Sequence, residues 1–199
     1  MLEVLPAFLS YVFVTTFTPG PNNVSSASMG INYGYRKTLR YIFGIVSGFS
    51  MIMFLSGLVT ESLIRFLPRL ESVLRVLGAL YMVYLAVIIL KASSHEPKVE
   101  GKVLATFSRG FLLQLVNFKV MVFGITVFSG FLVEHISSVG ETLLAALFLS
   151  AFAFISTSVW ALFGAVLKHY FANRTFTLIF NGIMAILLLY SAAVIAGIL

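Results

Sequence analysis

Thr15-Thr16-Phe17-Thr18-Pro19-Gly20-Pro21-Asn22-Asn23 is the stretch of this sequence best equipped for chemistry. It lies inside an apolar segment, where two prolines, a glycine and two asparagines do not suit an uninterrupted helix. Proline has no N–H to donate, and its ring collides with the carbonyl four residues back. Pro19 and Pro21 are therefore expected to free the carbonyls of Thr15 and Phe17, with Gly20 letting the chain turn between them. A new half-helix can begin at Pro21, leaving the N–H groups of Asn22, Asn23 and Val24 unpaired. Freed carbonyls attract a cation or an ammonium group, and a helix N-terminus attracts a carboxylate. An amino-acid zwitterion carries both groups. The plainer alternative is a proline kink used only for packing, but irregular backbone at membrane depth survives only where protein or a water-filled cavity covers it. Thr15, Thr18, Pro19, Gly20, Pro21, Asn22 and Asn23 are thus candidate substrate-binding residues.

A second polar group, Gln114, Asn117 and Lys119, lies in a later apolar segment. Lys119 is ten residues past Arg109, about 15 Å along a helix and so near mid-membrane. A cation there is costly and usually functional; the alternative is a side chain snorkelling toward the cytoplasmic face. Gln114 and Asn117 share a helix face, but Lys119 lies about 200° round from Asn117, so the three converge only if the helix is distorted. Ser156, Thr157, Ser158 and Trp160 form a further polar patch, read first as helix–helix glue, with Ser156 and Trp160 kept as secondary site candidates. Tyr81 and Tyr84 are also secondary candidates, as lining of a pathway. Gly30, Gly34, Gly44 and Gly48 read as close helix packing. His95, His135 and His169 have no ligand-like spacing, and Cys is absent, so no metal site is expected. Gly34-Tyr35-Arg36-Lys37-Thr38 lacks the earlier glycine and the preceding strand of a phosphate loop, which argues against ATP as an energy source.

The elements that must position these residues follow from composition. Of 199 residues, 60% are hydrophobic and only 10% charged, with a mean hydropathy of +1.04. A soluble domain carries about 25% Asp, Glu, Lys and Arg, so an ordinary cytosolic enzyme, a nucleic-acid reader and a disordered tail are excluded. The net charge of +6 fits basic residues flanking membrane spans better than a nucleic-acid partner. Six apolar segments, at about 4–31, 41–60, 73–91, 110–133, 142–167 and 176–198, predict an all-α polytopic membrane protein of six transmembrane helices. Met1-Leu2-Glu3 has no basic n-region, so the first segment is expected to be a retained span. The chain reads as one transmembrane domain: a three-helix half (1–91), a cytoplasmic loop (92–109) and a second three-helix half (110–199).

Basic residues fix the expected orientation. Arg36, Lys37, Arg40, Lys91, Lys98, Lys102, Arg109, Lys168 and Arg174 lie in one set of loops, against Arg65, Arg69 and Arg75 in the other. The richer side should be cytoplasmic, placing both termini outside. Span 1 then runs outside to inside and span 4 inside to outside. Related halves would form a 3+3 inverted repeat, with broken helices at spans 1 and 4, as in many secondary transporters.

Thr18-Pro19-Gly20-Pro21-Asn22-Asn23 resembles the signature of the lysine exporter and homoserine/threonine exporter (LysE/RhtB-type) family. Gly78-Ala79-Leu80-Tyr81-Met82-Val83-Tyr84-Leu85 is similar to that family's third span, and Arg109-Gly110-Phe111 through Asn117-Phe118-Lys119 to its fourth. The resemblance covers essentially the whole chain. Two departures stand out: Phe118 replaces the proline of the family's Asn-Pro-Lys, which leaves a break in span 4 open, and Asn22 replaces a common Asp. The Asn-Asn ending and the Gln114-x-x-Asn117-x-Lys119 spacing look most like the cysteine and O-acetylserine exporter branch.

The resemblance implies a secondary exporter of a small amino acid or derivative, in a bacterial inner membrane. It implies no bound cofactor, energy from an ion or proton gradient, and a homodimer among the assemblies to expect. The chain has no Asp, and its Glu residues lie in loops or near span ends, so Lys119 and the tyrosines are the ionisable groups within the spans. An ion or metal permease of the same architecture is the alternative, but it would need carboxylate rings or His clusters in the spans. A membrane enzyme would need a convergent nucleophile and base, and none is visible.

Overall fold

A computed structural model describes residues 5–63, 67–92 and 105–198. Met1-Leu2-Glu3, Arg65, His95, Lys98 and Lys102 lie outside the described residues, and with them much of the loop expected to be cytoplasmic. Eight α-helices are described: α1 (Leu5–Phe17), α2 (Pro21–Tyr33), α3 (Tyr35–Leu63), α4 (Leu67–Ala92), α5 (Phe107–Leu115), α6 (Phe118–Val127), α7 (Val139–Leu167) and α8 (Arg174–Ala196). A π-helical turn (Phe128–Leu132) extends α6, and a 3₁₀ turn (Lys168–Ala172) joins α7 to α8. The described residues contain no strand.

Each apolar segment read from the sequence falls on a helix or a broken pair of helices. Among the described residues three helices, α3, α7 and α8, are long and apolar enough to cross a membrane. The pair α5 and α6, bent by 65° at its break, makes a fourth if it is counted as one span. Large apolar side chains face outward along these helices, among them Leu144 and Val166 of α7 and Ile186 of α8. A surface of this kind is unfavourable in water and natural in lipid, and the protein is a multi-pass membrane protein.

Local signals set the helix ends. Ser138 and Glu141 form a capping box at the start of α7, which satisfies two otherwise orphaned N–H groups. Asn173 caps α8, its side-chain oxygen accepting from Thr175 and Phe176 N–H. Gly197 closes α8 in the left-handed conformation, at φ 74°. Gly34, at φ 75°, is the single residue between α2 and α3. No neighbouring atom would meet a side chain there, so this glycine serves the turn, whereas Gly30, Gly44 and Gly48 serve close packing.

The main core lies between α1, α3, α6 with its π turn, and α7, around Val12, Phe49, Met53, Phe123, Val127 and Leu149. A second cluster, with Met82, Ala86, Ala185 and Leu188, joins α4 to α8. The two breaks, at 18–20 and 116–117, lie between these cores.

Candidate functional site

The first break follows from the prolines. α1 ends at Phe17 and α2 starts at Pro21 in the first helical position, with Gly20 as its N-cap. The N–H of Val24 donates to the Gly20 carbonyl at 2.9 Å. Only Asn22 and Asn23 therefore present N–H groups without an intrahelical partner, not Val24 as well. The released carbonyls are a larger set than Thr15 and Phe17: those of Thr16, Thr18 and Pro19 join them because the helix has ended.

These carbonyls are already engaged. The Asn23 amide Nδ2 donates to Thr16 and Thr18 oxygens at 2.7 and 3.0 Å. Ser156 donates to the Thr16 carbonyl at 2.8 Å and Trp160 Nε1 to that of Phe17 at 3.2 Å. Ser191, on α8, donates to the Pro19 carbonyl at 3.2 Å. Helix–helix glue is thus an apt description of Ser156 and Trp160, and what they hold is the broken backbone itself.

The second break has no proline. The Asn117 N–H returns to the Gln114 carbonyl at 3.1 Å, which closes α5 in a tight turn. The Asn117 carbonyl then accepts from Val120 and Met121 N–H, which starts α6. What holds the bend is a tertiary contact. Asn22 Oδ1 accepts from Asn117 Nδ2 at 2.8 Å and from Gln114 Nε2 at 2.9 Å, while Asn22 Nδ2 donates to Gln114 Oε1 at 3.0 Å. Gln114 and Asn117 are fully buried, where an unpaired amide would cost roughly 1–3 kcal/mol. Asn117 Oδ1 nevertheless has no partner and does not cap its own helix. It is a buried acceptor beside the break, open to a donor from elsewhere.

The break also brings Lys119 round to the same place. Its Nζ donates to the carbonyls of Thr18 at 3.0 Å and Pro19 at 3.4 Å. Its stem lies over Gly20, where even a β-carbon would stand 3.0 Å from Lys119 Cδ. The ammonium is engaged inside the protein and does not reach for a membrane face. The Thr18 and Pro19 carbonyls freed at this break, which a substrate's ammonium could otherwise have met, hold the protein's own.

A cavity of about 40 Å³ lies at this junction, bordered by Asn22, Asn23, Asn117, Lys119, Phe49 and Phe123. It has room for a few waters and is too small for an amino acid. A larger cavity, about 340 Å³, lies on the other side of Lys119 between α1, α4, α6 and α8. Lys119, Thr15, Thr18 and Phe123 border both.

Thr15, Thr18, Pro19, Gly20, Pro21, Asn22, Asn23, Gln114, Asn117, Lys119, Ser156 and Trp160 all lie at the junction of the two breaks. Tyr81 and Tyr84 do not: they stack on each other along α4, Tyr84 is exposed, and neither borders these cavities. Ser191 was not legible, because a lone serine in an apolar span carries no pattern. Arg75 borders the larger cavity and reads from the sequence only as a loop charge.

The family model described as LysE type translocator matches residues 13–197. The chain is 30% identical over 189 residues to proteins named cysteine/O-acetylserine efflux protein from Escherichia coli (strain K12) and Shigella flexneri, covering 95% of this chain and 95% of theirs. A protein of the same name from Escherichia coli O139:H28 is similar to the same degree. No solved structure matches the chain.

Proposed function

The chain belongs to the LysE type translocator family, and from that premise we propose that it exports a small neutral amino acid or derivative, of the cysteine or O-acetylserine kind, across a bacterial inner membrane. The observation that carries this reading is the union of two helix breaks, distant in sequence, through the Asn22–Gln114–Asn117 amide cluster. Broken helices meeting inside a bundle are the usual substrate site of secondary transporters. In this reading α1 with α2 and α5 with α6 are spans 1 and 4, and α3, α4, α7 and α8 are the other four. The halves are inverted and both termini lie outside.

The amphoteric substrate fits what the junction leaves unpaired. Its carboxylate meets the Asn22 and Asn23 N–H groups at the α2 N-terminus and the Lys119 ammonium. Its ammonium meets Asn117 Oδ1. With about 40 Å³ at the junction, substrate enters only when the breaks separate, so binding and the change of access are one event. A proton or ion gradient supplies the energy. Lys119 is the ionisable group placed to sense substrate and gradient together.

The test is uptake of a labelled amino-acid panel, including cysteine and O-acetylserine, into inside-out vesicles with and without a proton gradient. Uptake of one or a few members, abolished by collapse of the gradient, is expected. Equal uptake by vesicles lacking the protein would overturn the reading.

A further inference from the structure

We propose that the carbonyl cradle at the first helix break is a monovalent-cation site that the chain fills from within. The Lys119 ammonium stands where a free alkali or ammonium ion would otherwise bind, so export needs no such ion as a co-substrate. The inference rests on the export reading for this consequence, and it narrows the gradient named there to one other than an alkali-ion gradient. The site itself rests on geometry.

Unwound carbonyls and the C-terminal ends of half-helices are where secondary transporters coordinate their coupling cations. Both features meet at this break. α1 ends at Phe17, so the negative end of its dipole lies toward residues 18–20. The Thr18 and Pro19 carbonyls are there, and Lys119 Nζ donates to them at 3.0 and 3.4 Å. Each of these oxygens is also fixed by a second donor. Asn23 Nδ2 holds that of Thr18 at 3.0 Å, and Ser191 Oγ holds that of Pro19 at 3.2 Å. A carbonyl oxygen has two lone pairs, so each keeps one for the lysine. The cradle is therefore preorganised by α2 and α8, and it persists when the lysine is shortened.

The lysine reaches the cradle from α6, in the other half of the chain. Its stem crosses Gly20, whose β-carbon position is 3.0 Å from Lys119 Cδ and 3.1 Å from Nζ. Truncation at Cβ vacates that path, which lies between the cavities of about 40 and 340 Å³ that Lys119 borders. A small cation then has both a seat and a way in. The N–O spacing suits ammonium or K⁺, which are alike in size, better than the smaller Na⁺. A cation in this seat also meets the substrate carboxylate in place of Lys119, so it can restore both roles of the side chain.

Cation rescue of Lys119→Ala tests this. Proteoliposomes exchange labelled for unlabelled O-acetyl-L-serine in methylammonium, potassium or choline chloride, equal on both faces so that no gradient forms. Methylammonium replaces the lost Cε and Nζ. At tens of millimolar, where a site of millimolar affinity fills, it should raise Lys119→Ala exchange about tenfold over choline, the usual scale for restoring a charge-assisted pair. K⁺ should restore less. The melting temperature of Lys119→Ala in detergent should also rise by several degrees in methylammonium, because the ion binds the folded state. The wild type, its site already filled, should not shift. Lys119→Met, which fills the same path without charge, should show neither effect.

A folded Lys119→Ala that gains neither exchange nor melting temperature from methylammonium or K⁺ would overturn the proposal. Equal gains by Lys119→Met or the wild type would also overturn it, since the amine would then act elsewhere. So would wild-type exchange that falls severalfold when choline replaces K⁺ and Na⁺. If Lys119→Ala fails to insert, this last measurement decides: unchanged exchange carries the proposal, and a fall overturns it. Wild-type proteoliposomes that exchange no amino acid would remove the export reading, while the melting series would still decide whether the cradle holds a cation.

Discussion

α2 and α5 differ from α1 and α6 in how each is held, and the difference explains what the two breaks accomplish. α2 packs along α7 and α5 packs along α3, among the most extensive helix pairs in the molecule. Both seams are built the same way. A β-carbon on Gly30 would run into the Ala161 carbonyl, and one on Gly164 into that of Ala27. Likewise Gly44 faces the Phe107 carbonyl and Gly110 that of Tyr41. In each seam the two helices approach backbone to backbone at a reciprocal pair of sites three residues apart, the geometry that small residues permit in lipid. α1 and α6 have no comparable seam, and they wall the cavity of about 340 Å³. Each broken span is therefore sutured by a glycine seam on one side of its break, and on the other it packs into the apolar core and borders the cavity instead. With the proposed topology the sutured side is cytoplasmic, so this conformation is closed to the cytoplasm and opens outward. Export then requires both glycine seams to part so that substrate can enter from within.

The break junction is where disruption should hurt most. Asn22→Leu removes the acceptor shared by Gln114 and Asn117 and leaves buried amides unpaired, at roughly 1–3 kcal/mol for each group. Export in inside-out vesicles should fall to background while membrane abundance stays near wild type. Full export by the Asn22→Leu, Asn23→Leu double variant would show that the breaks are packing kinks only. Lys119→Met should be equally inactive, because it removes both the carboxylate partner and the donor to Thr18 and Pro19.

Gly44→Val and Gly30→Val test the seams. Overpacking a close contact commonly costs about 1–3 kcal/mol, so each should lower the melting temperature in detergent and reduce export severalfold. Because a parted seam is the inward-open state of the proposed cycle, the surviving protein should label faster at a cysteine introduced at a position buried in the seam, for example Ala105 packed against Tyr41 and Ile45. Unchanged labelling would mean that the seam is static and the gate lies elsewhere.

The two halves of the site were unequally legible. The first break could be read because proline's missing N–H is a covalent fact that no tertiary context repairs. The second was expected only from the inverted-repeat pattern and the awkward placement of Lys119 on the helical wheel, and Phe118 in place of a proline left it open. The bend at Asn117 is imposed from outside by Asn22. The released carbonyls were assigned to a substrate because the sequence does not tell which distant side chains reach them. Ser156, Trp160, Ser191 and Lys119 all do. Helix positions were legible throughout, since apolar length sets them, and the close-packing role of Gly30, Gly44 and Gly48 followed from their spacing.

A smaller effect is expected at Gly20, which tests how closely Lys119 is held. Its β-carbon position stands 3.0 Å from Lys119 Cδ and 3.1 Å from Nζ, so the obstacle to Gly20→Ala is the far end of a flexible side chain, not backbone. The N-cap residue has extended backbone, at φ −170°, which alanine adopts without strain. The lysine must therefore shift by a few tenths of an ångström, loosening its bonds to Thr18 and Pro19 without breaking the fold. Stability should change little, while the half-saturating substrate concentration should move by about two- to fivefold, corresponding to less than about 1 kcal/mol. A wild-type value would show that the lysine stem has slack at the junction and that its ammonium alone matters. Loss of folding would show the opposite, that the stem is packed as rigidly as the glycine seams.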